Sequence, residues 1–425
     1  MSTTPKWVLP RHLRVSDIDA WLTTVLEAGR GDLHLGQHGT AADPMGAAHL
    51  QAALCLLARK GIECSLSVPE NTLAGERAGA AFSVADTPKQ ITPAESVLAT
   101  TLEGLILGQL CQLQPTAHLD SETLRKWQRN SLKGNSYHYG HGRNRAIAIP
   151  TIGDRREHNT AISSRVRNVE ASIARLVRGV NSDPAPWAKW WFDLVFSFVF
   201  EAMENTFDHG RYDLNRNPIP SLRILDLARH NLTEVQPRVV ADSSSGQQTV
   251  LDDYLDRLQR HYAIQRRKLN VSKLVEITVA DGGLGMVGTM ARGLAPYEEI
   301  ETTAELEFLA TALLPRGTSK SAGEIGVGHG VRKMLRACHG LRGMFVLRTG
   351  RFELSRTFLD ERGRPGQFDF LDGRDAAFDV DQHVSQRQMV AGTTWTIIFP
   401  MDDALIGRAE GEGTGQELAL AGSRR

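Results

Sequence analysis

Apolar residues recur along the chain in two rhythms, one of about two residues and one of about 3.6, and their alternation outlines two mixed regions of helix and strand. Between 31 and 69, Asp32 to Gly36 alternates as a strand, and Asp43-Pro44 then caps a helix with proline at its first position. The helix carries Leu50, Leu54 and Leu57 on one stripe until Lys60-Gly61 stops it. Ile62, Cys64, Leu66 and Val68 then alternate as a second strand. A capping box, Thr92-Pro93-Ala94-Glu95, predicts a further helix towards Leu113. These elements make a small α/β domain over 1–120.

A polar stretch over 121–182 separates this domain from the next. Residues 125–146 form a basic linker with Arg125, Lys126, Arg129, Lys133, Arg143 and Arg145, no acid among them, and Tyr137 and Tyr139 between. Basic charge with interleaved aromatics suits nucleic-acid contact as well as a solvated connection. Spaced apolar positions at Ile162, Val166, Val169, Ile173 and Leu176 predict an amphipathic helix that packs on the next domain or pairs with a second subunit.

The second domain, 183–402, opens with Asp183-Pro184 capping a long helix that stops at Gly210. Leu222–Leu227, Leu274–Ala280, Phe345–Leu347, Phe352–Leu354 and Thr394–Phe399 read as strands, the third and fourth joined by a turn at Thr349-Gly350. An insertion at 230–270 contains a polar Ser243-Ser244-Ser245-Gly246 loop and a helix around Val250–Lys268. The tail at 403–425, rich in Gly, Ala and Glu, is expected to be disordered. The fold class expected from this order is α/β or, more broadly, α+β.

Composition narrows the classes. The 425 residues suffice for two or three domains, and 41% hydrophobic with 23% charged residues is ordinary for a globular protein. The formal net charge of zero gives no global field to recruit nucleic acid or an anionic membrane. Cys55, Cys64, Cys111 and Cys338 show no metal-ligand spacing and suit free thiols in a cytoplasmic setting. The N-terminal segment lacks the apolar stretch of a signal peptide. The most apolar run, Trp190 to Phe200, contains Asp193 and falls short of a membrane span, so a core helix is expected there.

Four segments of the second domain carry candidate chemistry. Glu201 and Asn205, in FEAMENTFDHG, are four apart and share one helix face, with Asp208 close by. An acid there can take a proton from water, and an amide oxygen can ligate Mg²⁺. Asp281 ends an apolar strand and meets Gly282, Gly283 and Gly285, then Met286. A strand-end carboxylate can accept a hydrogen bond from the exocyclic amine of adenine, and glycines let a ligand approach the backbone. Gly326, Val327, Gly328, His329 and Gly330 open a helix, whose bare N–H groups can receive phosphate. Before it, Arg316 to Lys320 forms a cationic segment suited to a lid, with Lys320 either reaching a γ-phosphate or standing as an exposed loop lysine. Gly392-Thr393 enters the last strand, where the Thr393 hydroxyl can bond the base. Each piece alone is commonplace; a polar helix face or a turn explains any one of them. Their order and spacing are the signal.

The ordered set resembles the GHKL superfamily of gyrases, Hsp-type chaperones, histidine kinases and MutL-type ATPases. The resemblance covers about residues 183–402. It puts Glu201 at the general base of the hydrolase branches and Asn205 at the Mg²⁺ ligand. Asp281 falls on adenine, GVGHGV at the phosphate and lid-hinge motif, and Gly392-Thr393 at the final strand. It implies ATP as ligand and a Bergerat-type sandwich, with helices over one face of a mixed sheet. His329 stands where the family often has leucine, and the 230–270 insertion exceeds that of compact members. The N-terminal domain resembles the STAS domains of anti-sigma antagonists. Asp43-Pro44 stands where that resemblance puts a phosphorylatable serine, with Thr40 nearby.

Three uses of ATP remain open at this level. The first is hydrolysis with nucleotide-dependent closure on a protein partner or in a homodimer. The second is phosphoryl transfer to a protein in trans; His158 is followed by Asn159 rather than an acid, which disfavours autophosphorylation. The third is a nucleotide-gated binding module with little turnover.

Overall fold

The computed structural model describes residues 4–10, 12–34, 41–42, 44–60, 62–67, 81–83, 145–148, 189–210, 223–232, 235, 250–264, 273–290, 299–313, 330–360 and 384–400. The Thr92–Leu113 helix, the Arg155–Val180 helix, residues 125–144 and the 403–425 tail lie outside these.

The N-terminal unit consists of β1 (Lys6–Val8), β2 (His12–Leu13), α1 (Val15–Ala28), β3 (Arg30–His34), β4 (Ala41–Ala42), α2 (Gly46–Arg59), β5 (Glu63–Ser67) and β6 (Ala81–Ser83). Strands β1, β3 and β5 run parallel, β6 returns antiparallel beside β5, and β2 pairs with β4. Two successive crossovers of one hand put α1 and α2 on one face of this sheet. They meet there, with His49 Nε2 2.7 Å from Asp19 Oδ1. Helix α1 buries Ile18, Trp21, Leu22 and Val25, a helical stripe, and Trp21 stacks on Trp7 of β1 at 5.0 Å. Proline does not open α2 as the sequence suggests. Met45 takes a positive φ of 69°, which breaks the helical path, so Pro44 sits in a turn and the helix begins at Gly46.

The C-terminal unit is built on a five-stranded sheet in the order β10-β11-β9-β8-β7. Its members are β7 (Arg145–Ala148), β8 (Arg223–Asn231), β9 (Lys273–Asp281), β10 (Met344–Thr357) and β11 (Val384–Pro400). Among the described residues every pairing in this sheet is antiparallel, where a mixed sheet was expected. The whole is an α+β arrangement. Strand β7 comes from the basic stretch and pairs with β8, so Arg145 belongs to a sheet edge rather than to a linker.

Strands β10 and β11 also depart from the pattern. A turn was expected at Thr349-Gly350, yet β10 runs straight through it. Thr349 pairs with Thr393 and Gly350 with Val390, which leaves Ala391 and Gly392 as extra residues in β11. A glycine inside a strand marks a bulge as readily as a turn.

Helices cover both faces of this sheet, not one. Among the described residues the other helices are α3 (Lys189–His209), α4 (Val250–Ile264), α5 (Gly285–Met290), α6 (Thr302–Leu313) and α7 (Gly330–Gly340). Helix α3 buries Val195, Phe198, Val199, Ala202 and Met203, spaced as one stripe. These pack on Val275, Ile277 and Val279 of β9 in a single apolar cluster that also contains Met334, Leu335 and Cys338 of α7. Phe198 meets Phe345 edge-on at 6.4 Å, and Phe345 lies 6.2 Å from Trp395. Each such side chain, fully buried, contributes about 1.5–3 kcal/mol. On the opposite face Tyr254, Leu255 and Leu258 of α4 pack on Leu274, Met344, Val346 and Ile398. Among the described residues, no helix is long and apolar enough to cross a membrane.

The N-terminal unit is joined to that second face by polar contacts. Glu276 of β9 is buried and accepts from Met45 N at 2.8 Å and from Thr278 Oγ1 at 3.1 Å, while His230 Nε2 lies 2.7 Å from its other oxygen. Thr278 Oγ1 is in turn 2.9 Å from Thr396 Oγ1. Loss of that carboxylate strands several buried donors at once. Glu276→Ala is therefore expected to cost about 3 kcal/mol of stability. Urea unfolding followed by tryptophan fluorescence checks it; an unchanged midpoint would contradict the role assigned to the carboxylate.

Candidate functional site

Helix α3 ends against the loop that follows β9, and this contact organises the site. Its last turn closes with Gly210 N donating to Thr206 O at 3.0 Å. A Cβ on Gly210 would stand 2.7 Å from both Cβ and Cγ of Asp281, and one on Gly283 would stand 2.4 Å from Gly210 Cα. Helix end and loop touch backbone to backbone. The Asp281 carboxylate is buried, 4% exposed, and its Oδ1 accepts from Gly283 N at 2.8 Å. It terminates β9 on the same side as Val279 and Ile277, which is the side α3 covers.

The bulge of β11 locks the loop from the other side. Gly392 has φ 74°, and a Cβ there would lie 1.9 Å from Asp281 O. Thr349 Oγ1 accepts from Met286 N at 3.0 Å and lies 3.3 Å from Gly392 O as donor. One hydroxyl thus ties the Gly285-Met286 turn, where α5 starts, to the bulge. Gly285 itself has φ 78° and packs against that same hydroxyl. Thr393 follows Gly392, is buried and pairs with Thr349 in the ladder.

At its other end the site is formed by α3 and the start of α7. Gly330 opens α7 with its Cα facing the helix: a Cβ there would lie 3.1 Å from Glu201 Oε2 and 3.8 Å from both Nδ2 and Oδ1 of Asn205. Lys333, one turn into α7, donates from Nζ to Glu201 Oε1. A carboxylate beside a helix N-terminus sits in a favourable field. Glu201 is 15% exposed and Lys333 56%. Asn205 and Asp208 are half-buried.

Gly330, Asn205 and Glu201 therefore adjoin one another, as do Asp281, Gly283, Gly285, Met286 and Thr393 around Gly392. Helix α3 connects the two groups. From Gly210 to Glu201 it rises about 13 Å at 1.5 Å per residue, so the contact with Asp281 and the contact with Gly330 lie about two and a half turns apart along the helix. Lys320, Gly326, Val327, Gly328 and His329 lie outside the described residues.

Two contributors escape the sequence. Thr349 is one polar residue in a long strand, and only the bulge opposite gives it a task. Lys333 is legible in part, since a lysine three residues past a helix-opening glycine points back over that helix start.

Other ionisable groups serve the scaffold. Glu305 of α6 is buried and accepts from Arg351 N at 2.8 Å and from Arg351 Nη1 at 2.6 Å, which fixes α6 to β10. Cys55 and Cys338 are free thiols, both buried. Burial pushes the Cys338 thiol well above its ordinary range, which keeps it protonated on the inner side of α7.

Comparison of the chain with protein-family models, with curated proteins and with solved structures finds no match.

Proposed function

We propose that this protein binds ATP with Mg²⁺ along α3 and hydrolyses it, in the manner of the GHKL ATPases. The observation that carries the reading is the meeting of three distant segments on one helix: Asp281-Gly283 at Gly210, the Gly392 bulge beside them, and Gly330 at Asn205 and Glu201. These stretches are spread along the chain from Asp281 to Gly392 and share no structural need to converge on polar groups.

The order of groups along α3 matches the order of parts in the ligand. Adenine belongs beside Asp281, whose carboxylate accepts from the exocyclic amine, with Thr393 and Met286 on its flanks. The phosphates belong at the start of α7, where N–H groups and the helix dipole attract anions. Magnesium retains most of its waters and binds largely through phosphate oxygens, so the single amide oxygen of Asn205 is a sufficient protein ligand. Such an ion would neutralise phosphate charge when bound.

Glu201 supplies the base. A water adds to the γ-phosphorus while the bond from that phosphorus to the bridging oxygen breaks. The electron pair leaves with ADP, and the water's proton passes to the Glu201 carboxylate. Positioning and electrostatics provide most of the acceleration in reactions of this kind. Closure upon a protein partner or a second copy of the chain is the use of the cycle that fits an ATP site of this class.

Glu201→Ala is expected to keep ATP affinity within about threefold and to lower phosphate release by roughly 100-fold or more. Steady-state phosphate release and equilibrium binding measured on the same preparation check this. Retained turnover in the variant would remove Glu201 from the chemistry, and labelled phosphate on an added protein would favour kinase activity instead.

A further inference from the structure

Among the described residues Lys333 is the cation paired with the proposed base, and the proposed mechanism gives it no task. It lies on the first turn of α7, and its ammonium reaches back across the helix start to Glu201. Glu201 Oε2 in turn faces Gly330, the residue that opens the same helix. The carboxylate, the ammonium and the helix start at Gly330 thus share one small region.

The Lys333 ammonium is hydrogen-bonded to Glu201 Oε1 and so occupies one of the two oxygens that would receive a proton. The pair is also easily surrendered. Lys333 is 56% exposed, and an ion pair with one partner so solvated contributes little. A lysine has a flexible four-carbon stem and can redirect its charge without moving the helix. The terminal phosphoryl group of a nucleoside triphosphate carries more negative charge than one carboxylate and offers several acceptor oxygens. In competition for one ammonium, the phosphoryl group wins.

We propose that Lys333 senses the γ-phosphate: it holds Glu201 in the nucleotide-free protein and transfers to the terminal phosphoryl group of a bound nucleoside triphosphate, releasing Glu201 to act as base. This rests on the ATP reading given above. A diphosphate lacks the group that attracts Lys333, so the exchange separates triphosphate from diphosphate at the catalytic end of the site.

Two measurements on the full chain test this. In the first, ATP and ADP affinities are compared for the parent, Lys333→Ala and Lys333→Arg. Lys333→Ala is expected to bind ATP about tenfold more weakly and ADP within about twofold of the parent, with Lys333→Arg restoring part of the difference. In the second, the parent is treated with an amine-reactive acetylating reagent and modification at Lys333 is read by mass spectrometry. A non-hydrolysable ATP analogue is expected to slow that modification several-fold, and ADP to leave it unchanged. If neither nucleotide binds, the ATP reading falls and this inference with it. If both bind but Lys333→Ala weakens them equally or not at all, or ATP analogue and ADP protect Lys333 alike, the sensor role alone is overturned.

Discussion

Asp281→Asn protein is expected to fold like the parent and to bind ATP roughly 100-fold or more weakly. Asparagine has the shape of aspartate and keeps one oxygen, so Gly283 N, now 2.8 Å from Oδ1, retains its acceptor. The second oxygen becomes an NH₂ group. An adenine amine arriving there meets a donor where it needs an acceptor, in a site where Asp281 is only 4% exposed and water has little room to mediate. Flipping the amide only moves the mismatch to Gly283 N. Guanine presents an acceptor oxygen at the position of adenine's amine, so the ratio of GTP to ATP affinity should rise in the variant. Calorimetric titration with both nucleotides, beside a thermal melt to verify the fold, measures all three quantities. Equal ATP affinity in parent and variant would mean that adenine does not contact Asp281.

Gly392→Ala is expected to be the most destabilising of the small substitutions around the site, by about 4 kcal/mol or more. Two costs combine. At φ 74° the residue occupies the left-handed region, which disfavours any side chain. In addition, the new Cβ would stand 1.9 Å from Asp281 O and 2.6 Å from the carbon that bears it. Those are backbone atoms of β9, and they cannot swing aside as a side-chain tip can. Relief requires opening the β9–β11 ladder where Thr394 pairs with Ala280, in the middle of the sheet. With native proteins stable by only about 5–15 kcal/mol, the loss should lower the melting temperature by roughly 10 °C or leave little soluble protein. A melt within a few degrees of the parent would contradict the close approach of the bulge to Asp281.

The parts of the fold visible in the sequence are those with local rhythm. The core helix around Trp190–Phe200, the β9 run ending at Asp281 and the apolar spacing of α7 all follow from local pattern, and the structure keeps them. Helix α1 has a stripe of the same kind, Ile18, Trp21, Leu22 and Val25, but the elements expected over 1–120 do not include it. What local rhythm cannot supply is register. Gly350 reads equally as a turn or a bulge, and only the pairing of Thr349 with Thr393 and Gly350 with Val390 decides it. Register also governs the second face of the sheet. Glu276 and Thr278 are polar positions of β9, yet both are buried, and Met45 at the start of α2 donates its N–H to Glu276. A contact between residues 231 positions apart leaves no mark on either segment.

For the candidate site the division is similar. Glu201 and Asn205 stand out by residue type and their four-residue spacing, and Asp281 by its adjacency to glycine. Their convergence depends on how closely Gly210 and Gly283 approach, and on the Gly392 bulge. Thr349 and Lys333 enter only when β10 and α7 are placed beside those groups, as partners of Met286 and Glu201 respectively.

The most direct test of an adenine nucleotide site along α3 is calorimetric titration of the full chain with ATP in the presence of Mg²⁺. The account predicts saturable binding at one site per chain, competition by ADP, and far weaker binding of GTP. Absence of any saturable heat, together with no displacement of a fluorescent ATP analogue at millimolar nucleotide, would contradict it.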